Sequence, residues 1–263
     1  MRMPVRYEVR DRIATITIDR PEAMNALDPP MLHGLAEAWD RAEQDDEAWV
    51  VVVTGAGDQA FCVGADLKAT IPVTTSEARG EGAAHFPNMA RTLLRNRLYP
   101  KPIVAAVNGH CIAGGLEMLL ATDLRYASTN ATFALQEVRW GLFPLAGSTV
   151  RLPRQVPYCR AMELLLVGDR VDAATALQMG LVNDVVDPTA LLDRAYGVAE
   201  RITGNGPLAV RKIKESVVRG LGMPAEQAFT EELRLGSEVF ASADAVEGPK
   251  AFAEKREPRF FGR

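Results

Sequence analysis

Two carboxylates and two glycine turns are the residues here whose types and spacing could do chemistry. Glu117 closes the stretch Asn108-Gly-His-Cys-Ile-Ala-Gly-Gly-Leu-Glu117 and is the lone charge between positions 111 and 121. A carboxylate in such a segment costs free energy unless it is paired, solvated or used. Glu137 closes Phe133-Ala-Leu-Gln-Glu137 and precedes the apolar run Trp140-Gly-Leu-Phe-Pro144. Two carboxyls around one water could share acid and base work. Gly114 and Gly115 fall where a strand gives way to a helix. Glycine lets a backbone N–H approach a ligand closely, and the first N–H groups of a helix lack internal partners and favour negative charge. Gly64-Ala65-Asp66 is a second glycine-led turn, able to expose the N–H of Ala65. With the Gly114 N–H it would form a two-donor hole for an oxyanion. The residues alone leave two plainer readings open: ordinary glycine turns, and two unrelated surface glutamates.

Other letter patterns lead away from chemistry. Gly55-x-Gly57-x-x-Ala60 follows a strand and matches a dinucleotide fingerprint. The context fails, because Phe61-Cys-Val-Gly64 does not read as a helix, Pro72 interrupts, and no acidic strand end follows at the required distance. His33, His85 and His110 have no metal spacing, so no metal site is expected. His110 and Cys111 are adjacent on an extended turn and point apart, which argues against a nucleophile–base pair. There is no G-x-S-x-G elbow.

The elements that must position these residues follow from periodicity. Residues 5–10 and 13–19 read as a hairpin turning at Asp11-Arg12, with Ala14, Ile16 and Ile18 on one face. Asp28 caps a helix with prolines in its first turn, and Met31, Leu32, Leu35, Trp39 and Ala42 share one face. The apolar runs 50–53 and 103–107 read as strands covered on both sides. Residues 71–88 read as a loop or short helix, and 89–97 as a helix. A helix over 116–122 precedes short strands over 123–128 and 132–135. Helices are expected over 147–156 and 158–167, then one from Asp172 to Gly180, and a strand over 181–186. From 207 onward the pattern is only helical, over 207–219, 224–241 and 245–255. Strand pairs alternating with helices predict an α/β fold of repeated β-β-α units with a helical tail.

Composition bounds the function. A chain of 263 residues, 48% hydrophobic and 24% charged, can bury a large core. A net charge of −4 argues against nucleic acid or an anionic membrane as partner. Cys62, Cys111 and Cys159 suit neither a disulfide framework nor a zinc site. No apolar run reaches the ~18 residues needed to span a bilayer. Residues 1–6 lack the apolar core of a signal peptide, and Phe260-Phe-Gly-Arg263 is no peroxisomal address. A cytoplasmic location is the expectation.

These pieces, taken together, resemble the crotonase superfamily of enoyl-CoA hydratases and isomerases. Asp19-Arg-Pro-x-x-x-Asn-Ala-Leu27 is similar to its first loop, which lies against CoA. Phe61-Cys-Val-Gly-Ala-Asp-Leu67 resembles its first oxyanion segment, and the stretch through Gly114 to Glu117 its second. Phe133-Ala-Leu-Gln-Glu137 resembles the segment with a second catalytic glutamate, and Phe252-Ala-Glu-Lys-Arg-Glu-Pro258 the C-terminal signature. The resemblance implies a crotonase-like spiral of β-β-α turns over residues 1–203 and a C-terminal α-helical oligomerisation region over 204–263. It implies a homotrimer or homohexamer.

For the site, the resemblance implies oxyanion donors on Ala65 and Gly114, with Glu117 as base toward water and Glu137 as proton source for C2. It further implies substrate or CoA contacts from Met24, Asn25, Ala26, Gly64, Asp66, Leu67, Lys68, Gly115 and Lys255. The substrate would be an acyl-CoA thioester, with coenzyme A as part of the substrate and no separate cofactor. Hydration of 2-trans-enoyl-CoA is the leading expectation. A carnitinyl-CoA-like dehydratase, a Δ3,Δ2-enoyl-CoA isomerase and a non-catalytic acyl-CoA-binding homologue are the alternatives. Three departures from the hydratase pattern stand out: Ala113 in place of a further glycine, Gln136 in place of proline, and Leu145-Ala-Gly-Ser148 in place of a glycine-rich turn.

Overall fold

The computed structural model describes residues 4–66, 69, 88–95 and 97–262. Its frame is two sheets to which the chain contributes alternately. The larger has the order β1-β2-β3-β5-β7-β10 and the smaller β4-β6-β8-β9. β1 (Val5–Arg10) and β2 (Ile13–Ile18) form the expected hairpin, with Asp11 and Arg12 both at positive φ in its turn. β3 (Val50–Gly55), β5 (Ile103–Val107) and β7 (Leu124–Ser128) then add in parallel. β3 and β5 read as apolar runs because both sheet faces are covered. A core formed with α1 (Pro29–Gln44) covers one face; Leu191, Ala195, Val198 and Ala199 of the helix Leu191–Thr203 cover the other. The Asp28 carboxylate caps α1 by accepting from the Met31 N–H at 2.9 Å, as expected.

The second sheet joins the strand expected over 132–135 to two strands, β4 and β6, that lie within segments read as turns. After β3 comes β4 (Ala60–Cys62), after β5 comes β6 (His110–Ile112), and after β7 comes β8 (Thr132–Ala134). These short strands are parallel neighbours in that order. Each turn of the spiral thus lays one strand in each sheet. The direct strand-to-helix step expected before Gly114 is therefore corrected: β6 intervenes, and the helix runs Gly114–Leu119 rather than 116–122. The expected strand over 181–186 shortens to β10 (Asp184–Val186), and β9 (Val171–Asp172) is an added edge strand.

Among the described residues, the helix expected over 89–97 covers 88–92. Leu94 turns to φ 51°, and the N–H groups of Leu94 and Arg95 bond back to Arg91 and Ala90. That is a left-handed helix stop. The loop expected over 71–88 lies outside the described residues, save its last position.

Beyond the sheets, Pro207–Gly220, Ala225–Phe240 and Ala243–Ala253 form the helical tail. No described helix is long and apolar enough to cross a membrane.

Candidate active site

The carboxyl ends of β4, β6 and β8 lie side by side, because Ala60 pairs with His110 and Ile112 with Ala134. Three segments at equivalent points of successive spiral turns therefore converge: Gly64-Ala65 after β4, Ala113-Gly114 after β6, and Gln136-Glu137 after β8. This single relation gathers the four residues expected to act.

The first two segments touch through glycine. Gly64 sits at φ +83°, and a Cβ there would lie 2.8 Å from the Gly114 nitrogen and 2.9 Å from the Ala113 Cβ. Both the torsion and the space require glycine. The turn is pinned from its far side, where the Leu27 N–H donates to the Gly64 carbonyl at 2.8 Å and the Asp66 N–H to the Leu27 carbonyl at 3.0 Å. Ala113 adopts φ 51° and ψ −123° just before the helix Gly114–Leu119. That conformation suits glycine, and it explains why glycine is common at this point of the pattern. Gly115 allows the helix to seat on β4, since a Cβ there would meet the Cys62 carbonyl oxygen at 2.0 Å. The N–H groups of Ala65 and Gly114 have no acceptor among the described residues.

Glu117 is 4% exposed. Its Oε1 accepts from the Ala146 N–H at 2.7 Å, the Ser148 hydroxyl at 3.0 Å and the Ser148 N–H at 3.4 Å. The carboxylate thus meets the N-terminus of the helix Ser148–Gln155, where a negative charge is favoured. Burial raises its pKa, and the Ser148 and Ala146 donors and the Arg151 charge oppose that rise. Glu137 opens a short 3-10 turn, Glu137–Trp140, and its Oε2 is buried without a hydrogen-bond partner. Burial pushes its carboxyl up to about 7, opposed only by its own N–H and reinforced by the Glu117 charge. The two carboxyls are therefore unlike: one is held by donors, the other is bare.

Ala65, Gly114, Glu117 and Glu137 line one cavity of about 400 Å³. Its walls include Leu27, Leu32, Met89, Leu93, Leu142 and Phe143. Gln136 and Trp140 also border it. An apolar cavity with a few convergent polar groups is the usual form of a small-molecule site.

The remaining candidates divide. Gly64 and Gly115 act by shaping the hole. Asn25 is 1% exposed. Its Oδ1 accepts from the Arg20 N–H at 2.9 Å, and its Nδ2 donates to the carbonyls of Ala60 at 2.7 Å and Ala56 at 3.0 Å. Its side chain is therefore spent on holding the first loop to β4. Asp66 pairs with Arg20 at 2.9 Å, and Arg20 also reaches Asp28 at 3.3 Å. Met24 is exposed and Ala26 is buried beside it. Lys255, at φ 53° after the last helix, does not border the cavity. Leu67 and Lys68 lie outside the described residues. Sequence reasoning missed Ala146 and Ser148 as partners of Glu117, although the departure at 145–148 marked the place. Cys62 and Cys111 are fully buried and burial raises both thiols, so neither is poised as a nucleophile.

Comparison with known proteins points to one family. The Enoyl-CoA hydratase/isomerase family model matches residues 8–263. The chain is similar to Enoyl-CoA hydratase EchA19 of Mycobacterium tuberculosis, at 43% identity over 97% of this chain and 96% of that protein. It is similar to (E)-benzylidenesuccinyl-CoA hydratase of Thauera aromatica, at 42% identity over 99% of this chain and all of that one. Among solved structures it resembles an enoyl-CoA hydratase from Bacillus anthracis, with TM-score 0.93 and 32% identity over 99% of this chain and 100% of the other.

Proposed function

The chain belongs to the enoyl-CoA hydratase/isomerase family, and from that premise we propose that it is an enoyl-CoA hydratase, a hydro-lyase adding water reversibly to 2-trans-enoyl-CoA thioesters. The observation that carries this reading is the pair Glu117 and Glu137 in one apolar cavity beside two N–H groups that have no acceptor among the described residues. In this reading the Ala65 and Gly114 N–H groups bind the thioester oxygen as charge develops on it. Each such donor can lower the barrier by a few kcal/mol, on the order of 10²–10³ in rate. Glu117, ionised, takes a proton from water as its oxygen attacks C3. Glu137, protonated, delivers a proton to C2. The product is the 3-hydroxyacyl-CoA, and a proton must pass from Glu117 back to Glu137 before the next turnover. Run backwards, the same groups dehydrate.

The reaction is redox-neutral and asks for no cofactor; coenzyme A enters as part of the substrate and supplies binding energy that positions the acyl group. Fatty-acid or related acyl-CoA metabolism is the setting that suits it. Three free cysteines suit a reducing cytoplasm. The region 204–263 is assigned to oligomerisation, as a homotrimer or homohexamer.

The test is a panel of 2-enoyl-, 3-enoyl- and 3-hydroxyacyl-CoA thioesters with products identified by mass spectrometry. Water gain by the 2-enoyl substrates, and its reversal, is expected. Double-bond migration alone would favour an isomerase, and tight binding without turnover a binding module.

A further inference from the structure

Two carboxyl groups of one residue type face one cavity, so something outside them must decide which is base and which is acid. Of the three donors on Glu117 Oε1, two are backbone N–H groups that any residue but proline at 146 and 148 supplies. The third is the Ser148 hydroxyl, the one donor that a change of side chain can add or remove. Ser148 is fully buried, and its hydroxyl at 3.0 Å approaches Oε1 more closely than its own N–H at 3.4 Å.

We propose that Ser148 is a positioning residue that keeps Glu117 as the carboxylate of the pair and so sorts the two glutamates into base and acid. The proposal rests on the hydratase reading and adds the group that divides the labour. A hydroxyl donating to a carboxylate stabilises its charged form. It also fixes Oε1 on the protein side, leaving Oε2 for the cavity that Glu117 lines. Among the described residues no side-chain donor reaches Glu137, and its buried Oε2 has no hydrogen-bond partner.

The other charges facing Glu117 do not replace this contact. Glu137, from the turn after β8, is itself raised by the Glu117 charge and does nothing to hold its neighbour ionised. Arg151, on the same helix as Ser148, favours ionisation but spends Nη2 on the carbonyls of Leu94 and Arg95. Arg95 in turn donates to the Leu145 carbonyl at 2.6 Å. The hydroxyl is the side-chain donor in direct contact.

The experiment is the pH dependence of kcat for 2-enoyl-CoA hydration in wild type, Ser148→Ala and Ser148→Cys. Loss of the hydroxyl raises the pH at which Glu117 ionises, so the acidic limb should move up by about one unit in Ser148→Ala, a tenfold change in ionised fraction on that limb. The alkaline limb, which reports loss of the Glu137 proton, should not rise with it. Ser148→Cys keeps a weak donor and should fall between. An acidic limb that stays in place in both variants, whatever happens to the rate, overturns the proposal while leaving the hydratase intact. Absence of hydration in the wild type overturns the underlying reading instead. In that case carbon NMR of carboxyl-labelled glutamate, with Glu117→Gln to assign the signal, still tests whether Ser148→Ala shifts the Glu117 titration upward.

Discussion

Gly64 and Gly114 are in backbone contact: a Cβ on the first would stand 2.8 Å from the nitrogen of the second. The contact joins two spiral turns that lie 50 residues apart in the chain, and it sets the neighbouring N–H groups of Ala65 and Gly114 beside one cavity. Gly64 could not be exchanged without moving a donor, whereas a Cβ on Gly114 would meet its nearest neighbour at an ordinary 3.4 Å.

Gly64→Ala should separate the two turns. The φ of +83° adds a penalty of about 1 kcal/mol for any L side chain. Hydration should fall on the order of 10²-fold or more, as for loss of one oxyanion donor. Steady-state kinetics beside a thermal unfolding curve checks this; a folded variant with wild-type kcat would remove the proposed hole.

Glu117→Gln and Glu137→Gln should each cost on the order of 10²–10⁴ in hydration rate. Their losses should not add in the double variant, because both groups serve one transition state. Exchange of the C2 proton of a saturated acyl-CoA in heavy water should fall more in Glu137→Gln. A larger fall in Glu117→Gln would reverse the two roles.

The raised Glu137 carboxyl makes a signed prediction. Between its ordinary value of 4.5 and about 7, the native state holds a proton that the unfolded chain has lost. Stability from this group therefore falls as pH rises through that window. Glu137→Gln lacks the titration, so its Tm relative to wild type should rise between about pH 5 and about pH 8. The activity limb has the same origin: kcat should decline as pH rises through about 7 and the C2 proton source is lost. A Tm difference that is flat with pH would contradict the buried, uncompensated carboxyl.

Asn25→Ala should act on the fold before the chemistry. It leaves the Arg20 N–H without its Asn25 acceptor and removes the closer of two donors from the Ala60 carbonyl, which keeps Asn108 Nδ2 at 3.2 Å. A cost of about 2–4 kcal/mol is expected from the lost bonds and the stranded N–H. Urea unfolding would show it, and an unchanged midpoint would return Asn25 to the list of substrate contacts.

The helical tail should be covered by another copy of the chain. Phe229 is 68% exposed, Leu233 74% and Phe240 86%, an apolar face too large to leave in water. Leu235, on the same helix, is buried against its own chain. Light scattering should give a trimer or a multiple of it, and Phe240→Asp should shift it toward monomer; a monomeric wild type at micromolar concentration would count directly against this.

Local rules in the sequence determined the parts. Alternation placed β1 and β2, Asp28 announced α1, and the apolar runs marked β3 and β5, because burial on one or both faces writes a period into the letters. Gly64 and Gly114 were legible as turns, and Glu117 as a carboxylate in need of a reason. Their meeting was not legible. Strands β4 and β6 are three residues each, too short to carry a period, and the parallel pairing of Ile112 with Ala134 is what brings Glu137 to Glu117. Whether a side chain serves the ligand or the scaffold also waits on tertiary contact. Asn25 lies in a loop expected to touch CoA, yet its amide closes on Ala56 and Ala60. Ser148 sits 31 residues beyond Glu117 and donates to it only because the helix Ser148–Gln155 begins there. Hydrogen-bond partners distant in sequence are chosen by the packing of whole elements, and no local pattern records them.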